Sequence, residues 1–225
     1  MKKWNIALDG PSSSGKSTLA RALARELSLI YVDTGALYRA VGLYMVRNGI
    51  DPKNGEAVAA VLDRVQVELA YNNGVQTVLL CGEDVGDSIR TPEISRAASA
   101  VSAVPAVRAF LLGMQKDMVK RGGVVMDGRD IGTVIMPDAD VKLFLVASAE
   151  ARAKRRYLEM QAKGVACTYE QIYRETVERD KNDSGREIAP LVPAPDAILF
   201  DNSELNQEET VIEALRLVRE KCKNA

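Results

Sequence analysis

The stretch Ile6-Ala7-Leu8-Asp9-Gly10-Pro11-Ser12-Ser13-Ser14-Gly15-Lys16-Ser17-Thr18 decides how the rest of the chain reads. It fits the phosphate-binding loop pattern of a glycine, four residues, then Gly-Lys-Ser/Thr. Gly10 and Gly15 let the backbone turn tightly, so that successive N–H groups point inward at a polyphosphate. Lys16 supplies a compact positive charge for the β- and γ-phosphates, and Ser17 a hydroxyl ligand for Mg²⁺. Pro11, Ser12, Ser13, Ser14 and Thr18 complete the cradle. A Gly/Ser-rich turn matches the same letters by chance, and the flanks decide against that here. Residues 4–8 form an apolar strand-like run, and residues 17–27 an amphipathic helical pattern whose N-terminal dipole favours an anion. The stretch predicts a nucleoside triphosphate site.

Composition narrows the chemistry. A chain of 225 residues with 47% hydrophobic content is long enough to bury a core, and suits one large domain or a core with insertions. The net charge of −1 leaves no electrostatic footprint for nucleic acid. The absence of histidine removes Ser-His-Asp triads, histidine phosphotransfer and most zinc sites. Chemistry must therefore run on Asp, Glu, Lys, Arg and a bound metal, which suffices for phosphoryl transfer. Cys81, Cys167 and Cys222 show no metal-type spacing and read as reduced thiols. No signal peptide or membrane-length apolar segment is visible, so the cytoplasm is the expected compartment.

Along the chain, residues 29–32 read as a strand ending in Asp33-Thr34-Gly35, with Thr34 expected to cap a helix over residues 36–48. Arg39 lies one turn inside that helix; it is either a solvated side chain or a phosphate ligand, and its place after a strand end favours the ligand. Residues 54–64 read as a further helix. Residues 65–71 and 75–81 then alternate strictly around Asn73-Gly74, which predicts an antiparallel hairpin inserted into an α/β chain. The alternation does not say whether the insertion is decoration or a clamp for a second substrate.

Thr91 and Pro92 open a helix carrying Arg96 and Ser99, and Pro105 opens another carrying Arg108. Residues 124–127 form an apolar strand ending in Asp127, the place of a Mg²⁺-side carboxylate in a chain with a phosphate loop. Gly128-Arg129-Asp130 follows at the carboxyl end of that strand, where α/β sites lie. After a strand over residues 141–146, Ser148 caps a helix with Arg152, Lys154, Arg155 and Arg156. Such a run is either a solvated face or a lid that brings arginines to phosphate. Thr168 opens the next helix, Pro190, Pro193 and Pro195 make an extended connector, and residues 197–200 and 208–221 close the chain as a strand and a helix. The sum is an α/β fold: a parallel sheet covered on both faces, one antiparallel β insertion and one Arg-rich helical segment.

Taken together, Gly10-Pro11-Ser12-Ser13-Ser14-Gly15-Lys16-Ser17-Thr18, Tyr31-Val32-Asp33-Thr34-Gly35-Ala36-Leu37-Tyr38-Arg39, Ile89-Arg90-Thr91-Pro92-Glu93-Ile94, Asp127-Gly128-Arg129-Asp130-Ile131-Gly132-Thr133 and the segment from Arg179-Asp180 to Asp183-Ser184-Gly185-Arg186 resemble the bacterial-type cytidylate kinases. The resemblance runs through nearly the whole chain in order. It implies a P-loop kinase domain with its core at residues 1–62 and 93–225, a monophosphate-binding β insertion at 63–92 and a lid at 150–187. It implies transfer of the γ-phosphate of ATP·Mg²⁺ to CMP or dCMP. By position, Thr34, Ser99, Arg108 and Asp130 would surround the cytosine, and Arg39 and Arg129 would hold the acceptor phosphate. Arg179 and Asp183 would face the ribose, and Arg186 would reach the phosphates between the nucleotides. Lys16, Arg129, Arg179, Arg186 and Asp127 are the catalytic set that follows, with Ser17 on the metal and Asp127 reaching it through water. Asp9 is typical of the family, in either a structural or a metal-side role. At position 34 a hydroxyl is kept where other members have Ser, while Asn182 and Ser184 stand where some carry arginine.

Other readings remain. One is a kinase of the same architecture acting on UMP, shikimate or a coenzyme precursor; the other is a nucleotide switch or nucleic-acid ATPase, against which the balanced charge counts. The expected partners are small nucleotides alone, with neither nucleic acid nor membrane, and the expected state is a monomer.

Overall fold

The computed structural model describes residues 3–72 and 75–223. The strands are β1 (Ile6–Asp9), β2 (Ile30–Asp33), β3 (Val67–Asn72), β4 (Val75–Leu80), β5 (Glu83–Asp84), β6 (Val124–Gly128), β7 (Val141–Val146) and β8 (Ile198–Asp201). The helices are α1 (Lys16–Leu27), α2 (Thr34–Arg47), α3 (Gly55–Ala59), α4 (Pro92–Val101), α5 (Pro105–Lys120), α6 (Ala149–Ala162), α7 (Tyr169–Ser184) and α8 (Gln207–Lys223). Contacts divide the chain into two compact units, Met1–Tyr31 with Gly122–Ala225, and Val32–Arg121. The second is a wider segment than the β insertion expected at residues 63–92.

The first unit is built on a five-stranded sheet in the order β2-β6-β1-β7-β8, in which β1 pairs in parallel with β6 and β7, and β7 with β8. Every residue of β1 and β6 is buried, which is why both read as unbroken apolar runs ending in one acid each. Leu19 and Leu23 of α1 and Ala214 and Val218 of α8 pack with Ile6, Leu8, Val125, Leu143 and Leu145 in one core. Successive strands fall on opposite sides of β1, so loops at the carboxyl ends of β1 and β6 diverge at a topological switch point. The register sets Leu8 beside Asp127 and Asp9 beside Gly128, which aligns the phosphate loop with the turn after β6. Helices α6 and α7 have a separate small cluster of Ala153, Met160 and Ile172. Ser148 caps α6, and Thr168 with Gln171 forms a complete capping box on α7, as their spacing predicts.

The second unit packs α2, α4 and α5 with the antiparallel sheet β3-β4-β5 around Leu37, Val41, Met45, Val78, Leu80, Ile89, Val101 and Leu111. Gly42 lets α2 approach α4 closely: a Cβ there would lie 2.9 Å from the backbone nitrogen of Ala98. Thr91 caps α4 by accepting from the Ile94 N–H at 3.2 Å, with Pro92 at the first helical position.

Two expectations are corrected here. The cap of α2 is Asp33 and not Thr34, because the Asp33 carboxylate accepts from the Ala36 N–H at 3.0 Å while Thr34 is already helical. Residues 54–64 are not one helix: α3 ends at Ala59, and a separate 3-10 turn, Leu62–Arg64, carries the chain on towards β3. Val58 and Leu62 are buried in the core and Val61 packs against it across the break. The Asn73-Gly74 turn lies outside the described residues; the strands on either side of it pair in the antiparallel register expected of a hairpin, Val67 opposite Leu80. The two-residue β5 left no alternation to read.

Candidate active site

The loop after β1 has the backbone its glycines predict. Gly10 has φ +146° and sits so tightly against β7 that a Cβ would lie 2.5 Å from the Leu145 carbonyl oxygen. Gly15, at φ 92°, precedes α1 without any side-chain cap, leaving the helix N-terminus open to an anion. Lys16 is buried and folds back, donating to the Pro11 carbonyl at 2.5 Å and to Ser14 Oγ at 3.2 Å. Burial and the neighbouring Arg129 and Arg179 push its ammonium well below the usual lysine range, against the pull of Asp127 and Asp183. An arriving polyphosphate would reverse that balance.

Asp127 ends the apolar part of β6 and is itself buried. Ser17 Oγ donates to its Oδ2 at 2.8 Å and the Tyr31 hydroxyl to its Oδ1 at 2.9 Å. The Arg21 guanidinium lies 5.8 Å from the centre of the Tyr31 ring. The pair of Ser17 and Asp127 is thus assembled and oriented, as a hydroxyl and a carboxylate that a divalent cation takes up readily. Among the described residues no cluster of three or more His, Cys, Asp or Glu forms a metal cage. That donor set fits Mg²⁺, which keeps waters and draws its remaining ligands from substrate phosphates.

Past β6, Arg129 donates through Nε to Asp183 Oδ2 at 2.8 Å, and Arg186 bonds the other oxygen of Asp183. Burial alone would raise the Asp183 carboxyl; Arg129, Arg186 and Arg179 outweigh it and hold the group below the usual carboxylate range. Lys16, Arg129, Arg179, Asp127 and Asp183, which the sequence spreads over residues 16–183, therefore share one electrostatic neighbourhood. Asp130 is buried beside them and leads into a single π-type turn, Ile131–Ile135.

Several participants were not visible in the sequence. Asn202, at the end of β8, donates to the Ser14 carbonyl at 2.9 Å, and Arg155 donates to the Asn202 carbonyl at 2.5 Å. Arg152 of the basic run is 3% exposed, so for this residue the solvated-face reading does not hold. It donates to the Ser12 carbonyl at 3.2 Å and grips both oxygens of Asp180 at 2.9 and 2.5 Å. Lys154 is exposed and Arg156 pairs with Glu159 on the surface. The one signal for Asn202 was its place just past a core strand; Arg152 stood in the basic run read as a solvated face or a lid, and such a run does not show which member turns inward.

The other predicted residues lie in the second unit. Arg39 pairs with Asp33 at 2.7 Å, and the Asp33 N–H donates to Gln76 at 2.8 Å. Arg39 Nε is buried with no hydrogen-bond partner among the described residues. Arg108 donates to the Ser102 carbonyl at 3.3 Å and sits 5.7 Å from the Tyr38 ring centre, while Ser102 Oγ donates to the Ser99 carbonyl at 2.8 Å. Ser99 and Arg108 are thus joined through Ser102, and Thr34 is buried at the start of α2. No single helix among the described residues is long and apolar enough to cross a membrane.

A phosphate loop at the switch point of a parallel sheet, flanked by a carboxylate–hydroxyl pair and clustered arginines, defines a P-loop phosphotransferase. The same fold recurs at 14% identity in a gluconokinase from Sinorhizobium meliloti 1021 (TM-score 0.51, covering 100% of this chain and 97% of that one). It recurs at 12% identity in an uncharacterized protein from Eubacterium ventriosum (TM-score 0.53, covering 97% and 99%). The sequence model of the cytidylate kinases matches residues 6–220. A cytidylate kinase of Caldicellulosiruptor bescii is 47% identical over 224 residues, covering 100% of this chain and 99% of its own. One from Fervidobacterium nodosum is 49% identical over 218 residues, covering 97% of each. The chain belongs to the cytidylate kinase family, nucleoside monophosphate kinases whose activity is ATP-dependent phosphorylation of CMP and dCMP.

Proposed function

We propose that this chain carries out that transfer with residues 10–18 holding the donor polyphosphate and Thr34, Arg39, Ser99, Arg108, Arg129, Asp130, Arg179, Asp183 and Arg186 holding the acceptor. The observation that carries this reading is the bond from Ser17 of the phosphate loop to Asp127, with Arg129 and Arg186 both held on Asp183 just past the same strand. A bound Mg²⁺, held by Ser17 and through water by Asp127, would neutralise charge on the β- and γ-phosphates. Lys16 leaves its loop carbonyl for the phosphates, and Arg129 and Arg186 meet the spread charge of the transition state. No general base is needed, because the acceptor is already an anionic phosphate oxygen. The unpartnered Nε of Arg39 is a donor in search of an acceptor, which suits an incoming phosphate.

Cytosine differs from uracil by an exocyclic amino donor and an unprotonated ring nitrogen. Asp130 and a hydroxyl of Ser99 or Thr34 accept from the amino group, and Arg108 donates to the ring nitrogen or carbonyl. Uracil would set an acceptor against an acceptor and leave buried groups unpaired. Residues 1–225 act in this proposal as one kinase domain, with residues 63–92 as the acceptor-side insertion and 150–187 as the lid. It works as a cytoplasmic monomer that binds neither nucleic acid nor membrane.

The test is ADP formation from ATP·Mg²⁺ with AMP, GMP, CMP, UMP and dCMP offered singly. Turnover with CMP and dCMP, weak with UMP and absent with purines, is expected; equal ADP release without any acceptor would point to a hydrolase or switch. Asp130→Ala should erase most of the CMP-over-UMP preference in kcat/KM, and an unchanged ratio would remove Asp130 from base recognition.

A further inference from the structure

Asp9 closes β1 one residue before the phosphate loop, is 4% exposed, and lies outside the Ser17–Asp127 pair. Both oxygens of its carboxylate are bonded to the turn after β6. Oδ1 accepts from the Ile131 N–H at 2.9 Å and Oδ2 from the Gly132 N–H at 2.7 Å. These are the first two amides of the π-type turn that follows Arg129 and Asp130. The β1–β6 ladder ends where Asp9 meets Gly128, so regular sheet bonding cannot hold the chain beyond that point. The side chain of Asp9 takes over where its backbone stops: Gly128 is fixed by the ladder and Ile131-Gly132 by the carboxylate. Arg129 and Asp130 lie inside that bracket.

We propose that Asp9 is a positioning residue for the acceptor nucleotide, setting the backbone from which Arg129 and Asp130 reach it, and is not a metal-side carboxylate. The inference rests on the acceptor-side reading of Arg129 and Asp130 given above. Only a carboxylate can accept with two oxygens at once; an asparagine would turn an NH₂ group towards one of the two amides. The turn is of a rare π type that clusters at functional sites. Close packing fixes the anchor's position: a Cβ at Gly132 would lie 3.4 Å from Asp9 Oδ2 and 3.2 Å from Cδ of Lys142. Burial outweighs the two N–H bonds and pushes the Asp9 carboxyl up to about 6, which marks a group shut away from solvent.

The test compares the wild type with Asp9→Asn in steady-state kinetics and amide hydrogen exchange. Asp9→Asn should raise KM for CMP by about tenfold, leave KM for ATP·Mg²⁺ within about twofold, and speed exchange at Ile131 and Gly132 while β6 keeps its protection. Gly132→Ala, whose added carbon meets Lys142 Cδ at 3.2 Å and touches Oδ2 at 3.4 Å with Asp9 intact, should give the same pattern more weakly, and serves if Asp9→Asn does not fold. A higher KM for ATP·Mg²⁺ or a higher Mg²⁺ requirement, with KM for CMP unchanged, would overturn the proposal in favour of a metal-side role. Equal shifts in both KM values would overturn it as a general structural effect. Asp130→Ala separates the two readings: if it leaves KM for CMP unchanged, the acceptor-side reading itself falls. If it raises KM and the Asp9 and Gly132 variants do not, only the Asp9 inference falls.

Discussion

The carboxylates of this chain show how burial and partners pull in opposite directions on one residue type. Asp183 meets Arg129, Arg186 and Arg179 and stays ionised below its usual range, whereas burial lifts Asp9 from 3.8 to about 6 with Asp130 adding to the rise, against its two backbone amides and Lys16. The folded pKa of Asp9 therefore lies above its unfolded value. Its contribution to stability is fully present below the unfolded value of 3.8 and is lost as pH rises through about 6. Between about pH 7 and about pH 5 the wild type should gain about 1 kcal/mol relative to Asp9→Asn, which lacks the titration. Urea unfolding of both proteins at the two pH values measures this difference; parallel behaviour would show that Asp9 is not desolvated as described. The residue type was legible at once, since an acid ends an apolar strand. Its partners, 122 and 123 residues away, were not.

Among the elements, the most exacting contact is the crossing of α2 and α4. Gly42→Ala places a methyl carbon 2.9 Å from the Ala98 nitrogen and 3.1 Å from the Ala97 Cβ, both on a packed helix that cannot yield locally. Overpacking of this kind should cost about 1–3 kcal/mol despite the better helix propensity of alanine, seen as a lower denaturation midpoint. A rise in stability would mean that the helices separate freely. The α6–α7 pair adds a buried polar contact to its small apolar cluster. Arg152→Met removes the grip on Asp180 and the bond to the Ser12 carbonyl, leaving a carboxylate that is 28% exposed. Partial exposure softens the penalty, so a loss of roughly 1–2 kcal/mol is expected together with a higher KM for ATP, read from paired unfolding and kinetic curves. An unchanged KM for ATP would mean that Arg152 does not shape the phosphate loop. Element identity was largely legible because caps and periodicity are local: Thr91, Ser148 and Thr168 each stand where a helix starts. Residues 54–64 misled because their apolar spacing runs on through Leu62 although the helix ends at Ala59 and a 3-10 turn follows.

For the molecule as a whole, catalysis without histidine places the burden on fixed positive charge. In the proposed transfer Lys16 is the group every productive complex shares, whatever nucleotide accepts the phosphate. Lys16→Ala should lower kcat by roughly a hundredfold or more with CMP, dCMP and UMP alike, since it removes charge stabilisation common to all. Selective loss with one acceptor, in the same ADP-release assay, would place Lys16 on the base side instead. The site fits a family whose matched region, residues 6–220, takes in nearly all the elements described.

The amino-acid sequence alone determined the phosphate loop, the alternation of strands and helices, the caps at Thr91, Ser148 and Thr168, and the family, because each is written in neighbouring residues. The tertiary structure alone decided that Ser17 and Tyr31 hold Asp127, that Asn202 and Arg152 fasten the loop, and that Asp9 anchors the turn after Asp130. Those partners are 96–188 residues apart, and it is the strand order β2-β6-β1-β7-β8 that makes them neighbours. Strand order follows from how separate apolar faces share one core, and no local pattern of residues encodes it.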